Sequence, residues 1–223
     1  MNIKSTAKGL TILLLLAAAA FSTAFAAPKP SPVPTEWQFE INLDSLRAIT
    51  MRVPGETEPR TFWYLRYRLI NRTGDERMFI PQIALYTNTG QLIRAGKNVP
   101  VSVFRKIQSV FNDPILRDQT AMTGLILQGA DNAPRGVMIF PDFDPDAGTV
   151  KIFVGGLSGE QVRVNLPVPV TVKAINADGE LVDTEVDQLN LVKTLQLTFK
   201  ISGDLKRREN LSATLVDKEW VMR

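Results

Sequence analysis

Pro141-Asp142-Phe143-Asp144-Pro145-Asp146-Ala147-Gly148 places three carboxylates at alternate positions, the spacing in this chain best suited to holding a cation. Calcium takes six to eight oxygens, and an EF-hand loop opens with three ligands spaced this way. The continuation departs from that template. Ala147 stands where the tight turn needs glycine, Gly148 comes one residue late, and the twelfth position is Phe153 instead of a bidentate glutamate. Asp and Pro in such a cluster also end an apolar strand, by capping local backbone groups and fixing φ. The stretch therefore reads as a turn and no metal ligand is assigned; calcium at Asp142, Asp144 and Asp146 is the disfavoured alternative.

The second candidate is an alternation of ring and guanidinium. Phe62, Tyr64, Arg66 and Arg68 share one face of an apolar run whose other face carries Trp63, Leu65, Tyr67 and Leu69. An exposed Tyr64 beside Arg66 could stack on a sugar ring or pair with carboxylates. The favoured reading is plainer: a solvated strand face whose arginine stems cover neighbouring apolar surface. Lys206-Arg207-Arg208 reads as an exposed loop. The glycines of Gly155-Gly156-Leu157-Ser158-Gly159 follow a strand without opening a helix, so no phosphate-binding dipole is expected there. Asn71-Arg72-Thr73 and Asn210-Leu211-Ser212 match the glycosylation sequon and read as coincidence.

The chain has no histidine and no cysteine. That removes the Ser-His-Asp triad, the cysteine nucleophile, the imidazole base and the usual zinc sites. No catalytic residue and no cofactor-binding residue is assigned. Charge excludes a further class: without Lys4 and Lys8, 24 basic residues face 23 acidic ones, and a near-neutral, interspersed surface lacks the cationic footprint of a nucleic-acid binder.

Those side chains must be positioned by a fold, and the chain announces its parts. Residues 1–26 combine Lys4 and Lys8 with the apolar run Leu10 to Phe21 and end in Ala24-Phe25-Ala26, the layout of a signal peptide cleaved after Ala26. An uncleaved anchor is the alternative, opposed by an apolar run well short of the roughly 20 residues that span a bilayer. Residues 27–35 hold four prolines and read as an extended tether projecting from the folded part. From residue 36 onward period-two alternation dominates, beginning with Trp37, Phe39, Ile41 and Leu43. Strands are expected at 46–53, 61–71, 78–85, 124–128, 136–140, 149–154, 168–175, 191–201 and 213–222. Pro81 marks a bulge or an edge, and Asn88 to Leu92 and Ala177 to Leu181 read as hairpin tips. Val103, Phe104, Ile107, Val110 and Phe111 recur at helical spacing, which predicts one helix, its apolar stripe lying on a sheet.

The run YRLINRTGDERMFIPQIALYTNTGQLI, followed by LILQGADNAPRGVMIFPDFDPDAGTVKIFVGGLSGE, resembles immunoglobulin-like exported domains of unknown function from bacterial envelope proteins. The resemblance covers about Trp37 to Glu160 and implies a fold and no catalytic residues. The expected architecture is an all-β antiparallel immunoglobulin-like sandwich over 36–223 with one short crossover helix, or two smaller sandwiches split near 159–167. The expected function is an exported, non-catalytic binding or structural module, periplasmic or extracellular, whose partner is an envelope or extracellular protein. A glycan-binding module is the alternative, and an enzyme built on carboxylates or a Ser-Lys pair a more distant one. No nucleic acid is expected as partner, and a membrane only through an uncleaved leader.

Overall fold

The computed structural model describes residues 28–175, 179–203 and 211–223; the leader 1–26, the run Lys206 to Arg208 and Asn210 lie outside them. Twelve strands and one helix are described, and every strand pairing is antiparallel. Over the described residues the fold is an all-β sandwich with a single short helix.

The first sheet is built around β3 (Pro59–Ile70). β1 (Glu40–Leu43) pairs with its second half, Ile41 opposite Leu69, and β2 (Arg47–Arg52) with its first half, Ala48 opposite Trp63. β8 (Arg135–Pro141) runs along the other edge, Leu65 opposite Met138. The second sheet is built around β11 (Leu181–Ser202), whose last ten residues pair with β12 (Ser212–Met222) on one side and, over Leu195 to Lys200, with β9 (Thr149–Gly155) on the other. β5 (Gln82–Thr87) and β6 (Leu92–Arg94) extend the sheet beyond β9. β4 (Arg77–Phe79) and β7 (Gly124–Ile126) form a separate two-stranded ribbon. Between β4 and β5 the return strand breaks at Ile80-Pro81 and changes partners, because Pro81 has no N–H to give a ladder.

Alternation puts Trp63, Leu65, Tyr67 and Leu69 of β3 inward, against Ile83 and Leu85 of β5, Ile152 and Val154 of β9, and Leu195 and Leu197 of β11. At about 25 cal/mol per Å², this inter-sheet core is the main stabilising term. The outer face of β3 is buried as well. Phe62 and Tyr64, with Val137 and Ile139 of β8, pack under Val103 and Ile107 of helix α1 (Val101–Val110). The helix ends at Phe111, after which Asn112 takes a positive φ of 45°. Three layers result, helix on sheet on sheet, with β3 buried on both sides. Its predicted half-solvated face is thus corrected: the apolar stripe of α1 covers the end that holds Phe62 and Tyr64.

The proline-rich segment departs from expectation too. Ser31 N–H donates to Glu160 Oε1 at 2.7 Å, and Lys193 Nζ donates to the Ser31 carbonyl at 3.3 Å. Pro28 to Pro34 line a groove with Trp220 and Met222 of β12, so the segment lies back along the sandwich. Its few side chains to bury, the basis for reading it as free, are offset by backbone groups that find polar partners.

The largest difference concerns β10 (Gln161–Ile175) and β11. Both are far longer than the sequence alternation suggests, and they pair from Gln161 opposite Val192 out to Ile175 opposite Leu181. This hairpin arm continues the second sheet past the ends of β9 and β12. Its register shifts between Asn165 and Val170, where Leu166-Pro167-Val168-Pro169 inserts extra length. On the β11 side the apolar residues change parity at the same place, from Leu191 and Leu189 to Val186 and Val182. Of the predicted hairpin tip, Ala177 to Leu181, residues 177 and 178 lie outside the described set; the last described pair of the arm is Ile175 opposite Leu181.

Candidate functional site

The aspartates of 142–146 serve the fold. Asp142 Oδ1 accepts from Trp63 Nε1 at 2.9 Å, which satisfies the indole of a fully buried tryptophan. Phe143 stacks on the same ring at 5.0 Å. Asp144 Oδ1 accepts from Asp146 N–H at 2.9 Å, and the Asp144 carbonyl from Ala147 N–H, a local turn capped by its own side chain. Among the described residues no three Asp or Glu side chains gather as a metal cage.

The Tyr64–Arg66 face is not a platform for a sugar. Tyr64 is 6% exposed, and Phe111 closes on it edge to face at 6.0 Å. Burial raises the phenol's pKa, opposed by the nearby guanidiniums of Arg47 and Arg66. Arg66 lies over the Phe111 ring at 3.5 Å and pairs with Asp44. Arg68 donates to the Ala130 carbonyl. Arg135 Nη2 stands 3.0 Å from the buried Asp113 Oδ1, close enough for an ion contact although not aligned as a hydrogen bond. The small clefts of about 370 and 360 Å³ among these residues are thus lined by groups that already answer one another.

Asn71 belongs to the structure and not to glycan attachment. It is fully buried: Nδ2 donates to the carbonyls of Asp75 and Ile126 at 2.9 and 2.7 Å, while Oδ1 accepts from Thr73 N–H, Thr73 Oγ1 and Gln128 Nε2. Lys193 is likewise internal, 2% exposed, with Nζ 2.8 Å from Glu160 Oε2 and over the Trp220 ring. The hydrogen bond from Lys193, then that from Ser31 N–H, holds the Glu160 carboxyl below its usual pKa. Lys193 reaches the Ser31 carbonyl and not its hydroxyl, so this contact is no Ser-Lys nucleophile pair.

Open apolar surface gathers on two ribbons, apart from scattered exposed side chains such as Leu92, Ile115 and Val216. Met78 and Leu125 stand opposite each other on β4 and β7, with Ile80 and Leu127 flanking them, all at least 44% exposed. On the arm Val168, Val170, Val172, Leu181, Val182 and Leu189 are exposed, an unusual state for so many β-branched and aliphatic side chains in ordered strands. No second layer covers the arm among the described residues. The sequence reading misses it because its strands begin only at Val168 and Leu191, which leaves the stretch leading into Pro167 and Pro169 unassigned. The signal was present in the alternation Val162, Val164, Leu166 just before them.

Comparison of the chain with protein-family models, curated proteins and solved structures gives no match. The functional reading rests on the molecule's own surface.

Proposed function

We propose that this chain is an exported, immunoglobulin-like, non-catalytic module of the bacterial envelope that binds another protein through the β10–β11 arm. The observation that carries it is the arm: a two-stranded ribbon of about 50 Å, at roughly 3.3 Å per residue, with apolar side chains in solvent and no neighbour along its outer edges among the described residues. An isolated hairpin is marginal in water, and exposed edges and apolar faces are what partner chains cover. Export is supported by the layout of residues 1–26. The absence of histidine and cysteine narrows the chemistry available and favours binding over catalysis.

The test shortens the arm. Val164 and Leu189 are opposite each other, so replacing the residues between them with Asn-Gly gives a two-residue hairpin and leaves the sandwich intact. A photo-crosslinking residue at Arg163 reports contacts at the arm base in both forms, and one at Val172 reports them along the full arm. The full-length chain is expected to yield a defined adduct in cells, and the shortened chain to lose it while melting within a few degrees of the original. Equal adducts from both forms refute the proposal.

A further inference from the structure

The arm's two edges are not equivalent, and this identifies the partner's chemistry. β10 carries Pro167 and Pro169, which lack the N–H that an added strand requires and protect that edge. β11 has neither proline nor glycine from Leu181 to Ser202. Its edge is occupied by β12 up to the pair Val192–Arg223, whose N–H groups each donate to the other's carbonyl, at 2.8 and 3.1 Å. Antiparallel ladders alternate the direction of successive residues. Continuing from Val192, the N–H and C=O groups of Asn190, Gln188, Val186, Thr184 and Val182 face the open side, in line with β12.

Side chains along that edge separate by face. Val182, Thr184 and Val186 share one face, and Asp183, Glu185 and Asp187 the other. Residues 161–192 hold five acidic side chains and two basic ones. Of these, Lys173 is 3.4 Å from Asp183, an exposed pair that leaves Glu185 and Asp187 without a described counter-ion.

We infer that the open edge of β11 from Val182 to Asn190 is a strand-addition site for an extended protein segment that alternates basic with β-branched apolar side chains. Such a segment hydrogen-bonds to the five outward residues, sets Lys or Arg beside Asp183, Glu185 and Asp187, and extends the apolar face of Val182 and Val186. A second copy of the chain fits poorly. Antiparallel self-pairing centred on Glu185 sets Glu185 against its own copy and Asp183 against Asp187, like charges directly opposite.

This inference rests on the arm being the contact surface, and its test separates the two. Three labelled eleven-residue peptides are titrated into the purified chain and followed by anisotropy: Lys and Val alternating, Glu and Val alternating, and the same Lys and Val content in two blocks. The alternating Lys peptide is expected to bind most tightly and to slow hydrogen exchange at Val182, Thr184, Val186, Gln188 and Asn190. The double variant Glu185→Lys, Asp187→Lys is expected to weaken it about tenfold, a change of one decade in Kd, and to favour the Glu peptide. N-methylation at alternate peptide residues should abolish binding in one of its two phases. Equal binding of the block peptide, or unchanged exchange at saturation, overturns strand addition. If that happens while shortening the arm still removes the cellular adduct, the arm stands as the contact surface by its apolar face alone.

Discussion

Replacing Glu160 with glutamine tests the reading of the buried cation at the base of the arm. Lys193 is 2% exposed and has Glu160 Oε2 at 2.8 Å as its charged partner. Glutamine keeps an oxygen that can accept from Nζ and removes the compensating charge. Breaking a buried pair at one end costs about 3–5 kcal/mol. Glu160 retains some contact with water, 12% exposed, so the lower end applies, about 3 kcal/mol. For a chain of this size that is roughly 6–12 °C in Tm, read by circular dichroism or calorimetry. The pH dependence carries a sign. The Glu160 carboxyl is held below the usual 4.5 by Lys193 and then Ser31, so the unfolded chain takes up its proton first. The carboxylate's stabilisation is complete above that value and is lost as pH falls through the lower, folded one. The gap between wild type and Glu160→Gln is therefore widest near neutrality and narrows below about pH 4.5. Adding Lys193→Met to the variant should recover most of the loss, since no ammonium is then left buried. A fall in Tm under about 2 °C, or a gap that widens in acid, would refute this account.

The remaining expectations follow from single side chains. Asn71→Leu leaves the buried Ile126 carbonyl and the Thr73 N–H without their partner and should cost about 3 kcal/mol in urea unfolding, whereas Arg72→Ala, an exposed neighbour, should cost under about 1. Tyr67 Oη is buried with no hydrogen-bond partner, and burial alone raises its pKa; Tyr67→Phe should leave Tm unchanged or higher. Gly136→Ala should destabilise by about 1–3 kcal/mol, because the added Cβ would meet the Tyr67 ring at 2.5 Å. Melting with and without a calcium chelator should give one midpoint, since Asp142 and Asp144 hold Trp63 and the local turn.

What the sequence revealed depended on whether a pattern had one cause. Phe39, just before β1, and Ile41 within it alternate because one face of this segment is buried, and Val103 and Ile107 recur because one stripe of α1 is; both can be read directly. The extent of β3 is legible in the sequence, and the burial of its second face is not. Its second face, Phe62 and Tyr64, is covered by a helix forty residues away in the chain, and local periodicity says nothing of what arrives from a distance. The arm was hidden for the opposite reason. An uncovered ribbon imposes no burial pattern over its whole length, and the parity change between Val186 and Leu189 breaks the period of β11 although the strand runs on. Glu160 and Lys193 gave no sequence signal, since a buried lysine is rare and its partner lies 33 positions away.

β11 spans 22 residues without a glycine or proline, roughly 70 Å of uninterrupted extended backbone at 3.3 Å per residue. A pull or a twist applied near Leu181 meets no glycine or proline within β11 before it reaches Leu195 and Leu197 in the middle of the sandwich, the irregularity of the arm lying on β10 between Asn165 and Val170. The strand is thus a stiff lever whose short end is clamped in the core, and Trp220, opposite Leu195, stands at the clamp as an optical gauge of the load.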